Sequence, residues 1–238
     1  MLTRALTSTT NLITIDDLTV EVKVNARARG LTLRYNVKKA RFVASVPKRM
    51  SKKFIVEFLT EQQAWMRKQL VVIPAAQISA LQNGSVMIEG IERRIIHSQA
   101  AGVHVSLTED AILIACREER LPRALQRFIV QHAEKLISEL AHEKASRIGK
   151  RITKITMRDT SSRWGSCASD GSLSFSWRLV MAPFDVIDYV VAHEVAHLQH
   201  FDHSPDFWAL CRELSENYTM GKHWLKINGA HLQGAVIA

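Results

Sequence analysis

The stretch APFDVIDYVVAHEVAHLQHFDH, residues 182–203, decides how this chain is read. It contains His193-Glu194-x-x-His197 and, six positions later, His203. A helix turns about 100° per residue, so His193 and His197 fall roughly 40° apart on one face, one turn from each other. Val186, Ile187, Val190 and Val191 supply the apolar face of that helix. Pro183 suits its start, and Asp185 and Asp188 suit its positive N-terminal end. Two imidazoles one turn apart can hold one Zn²⁺, and a catalytic zinc takes three protein ligands and leaves a fourth position to water. Glu194, beside the first ligand, is placed to take a proton from that water. The pattern predicts metal-assisted hydrolysis, most often of a peptide bond. A bare His-Glu-x-x-His arises by chance in roughly one chain in a hundred of this length, so the helical context matters. The competing reading is a set of histidines hydrogen-bonded in a core.

Three candidates compete for the third ligand position. His203 follows a turn signalled by Asp202 and Ser204-Pro205, and a chain turning back there brings it to the metal from the side. His200 shares the face of His193 but lies about 10.5 Å further along a regular axis, too far for a bond of about 2 Å. Glu213 or Glu216, from a following helix, is the third possibility; a solvated helix face is the usual fate of such residues.

Before the metal helix, Leu121 to Gly149 carries a long helical pattern through Leu125, Phe128, Ile129, Ala133, Leu136, Ile137, Leu140 and Ala141, with Gly149 as its C-cap. Ile152–Arg158 and Ser172–Trp177 alternate as strands, joined by the turn-rich Trp164–Gly171. A second helix spans about Pro205 to Asn217. This order predicts an α+β fold with an antiparallel sheet beside the site. Further upstream, Leu18–Val24, Leu31–Tyr35 and Arg41–Val46 read as antiparallel strands. A helix capped by Ser51 runs from Lys52 to Leu70 through Phe54, Phe58, Ala64, Trp65 and Leu70. Gly90 and Gly102 punctuate strand candidates at about 86–97, 103–107 and 111–115. The expected division is a mainly β module with one helix over residues 1–118 and a catalytic region over 119–238, acting as one functional unit. No sequence repeat is apparent.

A chain of 238 residues with 47% hydrophobic content can bury a sizeable core. No apolar run is long enough for a transmembrane helix, and the first residues lack the apolar stretch of a signal peptide. Cys116, Cys167 and Cys211 are odd in number and widely spaced, which fits a reducing cytoplasm and buried thiols. The net charge of +9 favours acidic partners. Much of it is N-terminal, in Arg27, Arg29, Arg34, Lys38, Lys39, Arg41, Lys48, Arg49, Lys52 and Lys53. A solvated basic face is the bland account; contact with nucleic acid is the functional one.

Taken together, Arg163-Trp-Gly-Ser-Cys167, Leu173–Arg178, Ala182-Pro183, Asp188–Val191, His193–Leu198 and His203–Trp208 resemble the YgjP-like metallopeptidase family, which is related to the SprT-like and WLM zinc peptidases. The Arg-rich N-terminal strands, the Trp65 helix, the Asn83-Gly84 turn with Gly90, and Trp224-Leu225-Lys226 are similar too, so the likeness covers nearly the whole chain. It implies a zincin-like fold with His193, His197 and His203 as zinc ligands, Glu194 as catalytic base, and a protein or peptide substrate. Around these, Arg163 is either an oxyanion contact or a loop-shaping ion pair. Trp164 and Gly165 hold the turn, and Tyr189 packs in the core or supports a ligand. Asp202 or Asp206 either accepts a ligand's N–H or caps the next helix. Phe207 and Trp208 fix the His203 loop, and Tyr218 and His223 are weaker candidates for transition-state donors. Two functions compete with a peptidase: a metal-dependent nucleotide phosphohydrolase, and a binding module or protease recruited by nucleic acid.

Overall fold

The computed structural model describes residues 11–36, 41–76, 79–160 and 163–237, so Lys38 and Lys39 lie outside the described residues. Two compact units divide the chain, Met1–Ala75 and Ala76–Ala238. These compact units meet at 75/76, whereas the division expected from the sequence is at 118/119. Composition grouped all the early strands together, whereas packing assigns residues 85–115 to the unit that holds the metal helix.

In the first unit β1 (Asn11–Ile15), β2 (Leu18–Val24), β3 (Thr32–Asn36) and β4 (Arg41–Val46) form one sheet in the order β1-β2-β4-β3. The outer pairs are antiparallel and the central pair β2–β4 is parallel, which corrects the all-antiparallel expectation. Alternation along β2 and β4 turns Leu18, Val20, Val22, Phe42, Ala44 and Val46 to one core with Ile55, Leu59 and Met66. Ser51 caps α1 (Lys52–Glu61) by accepting the Phe54 N–H, as expected. The helix then breaks at Gln62 and resumes as α2 (Gln63–Ala76). Its buried face differs from the one anticipated. Ile55, Leu59 and Met66 point inward, whereas Phe54, Trp65 and Leu70 are exposed. Both sets are apolar and helically spaced, so periodicity alone does not choose between them.

The second unit opens with α3 (Ala80–Asn83), closed by a capping box between Ser79 and Gln82. Next come β5 (Ser85–Ile88), β6 (Ile91–Ser98), β7 (His104–Leu107) and β8 (Ala111–Ala115), in the order β5-β6-β8-β7. The run expected at 86–97 is a hairpin, turned by Glu89 (φ 54°) and Gly90 (φ 79°). Pairing directions again are antiparallel, parallel, antiparallel. The long helix is α4 (Leu121–Arg147), burying Leu125, Ile129, Ala133, Ile137 and Ala141. It ends at Gly149 (φ 63°), where the Lys150 N–H returns to the Ala145 carbonyl.

A smaller sheet then supports the site: β9 (Lys154–Arg158), β10 (Gly165–Cys167) and β11 (Ser172–Ser176), in the order β10-β11-β9. The sheet expected to be antiparallel is mixed. The turn-rich stretch contains an edge strand, β10, which hairpins with β11 and leaves β11 parallel to β9. A 3-10 turn over Trp177–Met181 leads into α5 (Phe184–Ala196), followed by α6 (Pro205–Leu214) and α7 (Tyr218–Gly234). The α7 helix escapes the sequence reading because its buried face is Gly221, Gly229, Leu232 and Gly234 rather than a run of large apolar residues. A Cβ at Gly221 would lie 2.6 Å from the Asp185 carbonyl oxygen and 2.7 Å from Tyr189 Cβ, so α7 approaches α5 by way of bare backbone.

Candidate metal centre

The α5 helix is apolar almost all round: Val186, Ile187, Val190, Val191, Val195 and Ala196 are buried against the core. It starts after Pro183 and ends at its C-cap His197, so both histidines of the motif lie in or at its last turn. Ser204 then caps α6 by accepting the Phe207 N–H, with Pro205 in the first turn. This sharp restart folds the 198–204 segment back and brings His203 over α5.

The result is convergence. Ligand atoms of His193, His197 and His203 lie within 4.8 Å of one another, and Nε2 of His203 is 3.3 Å from Nε2 of His193. Two ligands about 2.1 Å from one ion at the tetrahedral angle are about 3.4 Å apart, so the spacing suits a small ion. The imidazole of His197 donates from Nδ1 to the His200 carbonyl (2.9 Å), which leaves its Nε2 lone pair free. Nδ1 of His193 is buried without a hydrogen-bond partner among the described residues. Burial pushes His193 down to about 4, assisted by the neighbouring histidines and Lys222, and pushes His197 down as well. Neutral imidazoles are the form that binds a metal. The donor set therefore fits a divalent cation, and no other group of three potential ligands is found among the described residues.

His200 and the two glutamates do not join. The backbone carbonyl of His200 serves His197, while its ring meets Gln199. Glu213 and Glu216 are exposed. Asp202 accepts from the Ser204 N–H and Asp206 sits in the first turn of α6, so the capping account describes both. Burial pushes the thiols of Cys167 and Cys211 up to about 11 and about 12, and neither belongs to the cluster of potential ligands.

Glu194, next to His193 on α5, lies 6% exposed. Burial pushes its carboxyl up to about 7, against an opposing pull from Arg163. Gly165 of β10 covers it so closely that a Cβ there would lie 2.6 Å from Oε1 and 2.4 Å from Cγ. Gly165 thus does more than hold a turn: its missing side chain is the space the carboxylate occupies.

Aromatic packing fixes the cluster. Phe207 is fully buried and stacks on His197 at 4.5 Å, with His193 and His203 edge-on at 4.9 and 4.7 Å. Trp208 flanks His193 and His203, and Tyr189 packs edge-on to His193 and Tyr218. Two lysines complete the frame, and neither stood out in the sequence. Lys222 hydrogen-bonds the Tyr218 hydroxyl (2.9 Å) and lies 4.1 Å over the Trp208 ring, a contact between residues four apart on α7 and one on α6. Lys144 of α4 is buried, pairs with Asp188 of α5 at 2.5 Å and donates to the Leu214 carbonyl of α6 at 2.6 Å. It ties the helix of His193 and His197 to the helix that anchors His203.

No curated protein and no solved structure matches this chain. A family model does: the metallopeptidase domain described as YgjP-like matches residues 31–228, from β3 of the first unit to α7 of the second. With most of its length covered by that match, the chain belongs to the YgjP-like metallopeptidase family.

Proposed function

We propose that this chain is a zinc-dependent peptidase of zincin-like architecture, in which His193, His197 and His203 hold the metal and Glu194 is the catalytic base. The single observation that carries the proposal is the convergence of three imidazoles, two of them on the helix that also buries the Glu194 carboxylate. When bound, the metal supplies Lewis-acid chemistry, polarising a carbonyl and making water more acidic. Glu194 Oε1, poised near neutral pH by burial, accepts the proton of the attacking water and returns it to the leaving amine. Gly165 packs against the carboxylate and Phe207 against the three rings. The β10 strand is the sheet edge beside Glu194, and an extended peptide can add to it by main-chain hydrogen bonds. Three free cysteines suit a cytoplasmic setting.

Glu194→Gln should keep zinc and lose about 10²–10⁴-fold in turnover. His203→Ala should lose metal, measured by elemental analysis. Full turnover in the first variant, or unchanged zinc in the second, rejects these roles.

A second role concerns recruitment. The parallel strands β2 and β4 end side by side, with Val24 paired to Val46. Arg27, Arg29, Lys48 and Arg49 are exposed in the two loops that follow. We propose that this basic end of the first unit binds nucleic acid and brings the peptidase to its protein target. DNA affinity should fall steeply with salt; binding indifferent to salt excludes phosphate contacts.

A further inference from the structure

The β11 strand, Ser-Leu-Ser-Phe-Ser, sends Leu173 and Phe175 into the core and Ser172, Ser174 and Ser176 to the opposite face. Solvated serines would be unremarked, but Ser176 is 1% exposed and its hydroxyl has no hydrogen-bond partner among the described residues. A buried hydroxyl without a partner is destabilising, so a group that bonds it gains from doing so. Ser176 lines a cavity of about 400 Å³ on that outer face, within the range of ~300–1,000 Å³ typical of small-ligand sites.

Trp164, Ala168 and Phe175 give the walls an apolar part, and the polar part has one chemical character. Ser174 faces Ser166 across the β10–β11 ladder, and Ser176 faces Arg158 across the β11–β9 ladder. Arg163 closes the cavity from the preceding loop, and no carboxylate lines it. Neither guanidinium forms an ion pair within 4 Å among the described residues, and the acid that Arg163 feels is Glu194, outside the cavity lining. The neighbouring Asp159 is engaged by Arg178 at 2.8 Å. Two guanidinium groups and a row of hydroxyl donors with no acid among them match a group carrying negative oxygens.

We propose that this cavity is an oxyanion-binding site, taking a carboxylate or phosphate group together with part of the residue that bears it. Gly165 lines the cavity and also covers Glu194, so the bound anion lies one strand away from the catalytic carboxylate. A role in choosing substrates, by reading an acidic group on the chain to be cut, rests on the peptidase reading; the binding itself does not.

The test is a titration of inorganic phosphate into the full-length protein, as purified and after chelation, with chloride at matched ionic strength as the blank. Calorimetry gives the affinity, and circular dichroism checks the fold of each variant. Wild type should show saturable binding that survives chelation. Arg158→Gln/Arg163→Gln should weaken it about tenfold or more, and Ser176→Ala to a lesser degree. Absence of saturable binding, or equal affinity in the double variant, overturns the site. Binding lost on chelation but retained in the double variant belongs to the histidines and overturns it as well. Displacement of phosphate by a peptide with a free C-terminal carboxylate, and not by its amide, identifies the carboxylate as the source. Displacement by neither assigns the site to phosphate. Should the metal-loaded protein cleave no peptide while this binding persists, the peptidase reading fails and the oxyanion site stands.

Discussion

The two four-stranded sheets of this protein have the same strand order, and they use it differently. Each runs antiparallel, parallel, antiparallel across its four strands, and each begins with a two-residue hairpin turn. Asp16 (φ 52°) and Glu89 (φ 54°), the non-glycine residues with positive φ among those described, are the first residues of those two turns. The docking of the turns separates the sheets. In the first, Asp17 pairs with Arg67 at 2.7 Å and Asp16 accepts from Gln63, both on α2 of the same unit. In the second, the Glu89 N–H bonds the Val180 carbonyl at 2.7 Å, its carboxylate meets His132 of α4, and Gly90 abuts Pro183 at the head of α5. One sheet is closed on its own helices. The other is a platform for α5, the helix that carries His193 and His197. The same topology serves both ends, and the residues of one turn decide which.

The contrast predicts that damage in the second unit reaches the histidines and damage in the first does not. The largest effect is expected at Lys144. Lys144→Ala leaves the half-buried Asp188 without its cation and releases α6 from α5, at a cost of about 3 kcal/mol and with a loss of bound metal. The matched control, Ile55→Ala in the first core, should cost about 2–5 kcal/mol with metal content unchanged. Urea unfolding and elemental analysis read both, and metal loss in the Ile55 variant would break the comparison.

Next in size is a pH effect. In the metal-free protein Glu194 titrates at about 7 folded, against 4.5 for the free group. The folded chain therefore holds a proton that the unfolded chain has released. This contribution is full below about pH 4.5 and is lost as pH rises through about 7. His193, pushed down to about 4 from 6.5, acts oppositely: its contribution is full above 6.5 and is lost as pH falls towards 4. The two overlap in wild type, so the variant is needed to separate them. Between pH 4.5 and 7, chelated Glu194→Gln should gain on chelated wild type by up to roughly 3 kcal/mol. A difference that does not change with pH contradicts the raised carboxyl.

Smaller again is Gly90→Ala. Its φ of 79° disfavours a side chain, and the new Cβ would lie 2.8 Å from Pro183 Cα. About 1–3 kcal/mol should be lost, with a shift in the α5 signals in NMR spectra. Asp16→Gly in the counterpart turn should change stability by less than about 0.5 kcal/mol and leave those signals in place.

What the sequence made legible was local. The α5 helix follows from the spacing of its valines and histidines, the start of α6 from Ser204-Pro205, and the end of α4 from Gly149. The grouping of His203 with His193 and His197 needed one turn, and the residues signal it. Pairing of distant segments was hidden. Nothing in Ile155 or Phe175 states that β9 and β11 run parallel, and the repeated sheet order leaves no shared residues by which to see it. Lys144 reads as one more charge on a helix until Asp188 and the Leu214 carbonyl close around it. Phe54 and Ile55 are equally apolar in the sequence, and only the sheet beneath chooses between them.

Gly165 and Gly221 carry a consequence for how this protein tolerates change. At both, the neighbour occupies the volume a side chain would need: the Glu194 carboxylate at one, the Asp185 carbonyl and Tyr189 at the other. Even alanine is too large there, so these positions should be as intolerant in a saturation library as the histidines, although neither contributes an atom to chemistry. Selection at such a site acts on empty space, and redesign aimed at new specificity has to leave those two vacancies untouched while it varies the walls around them.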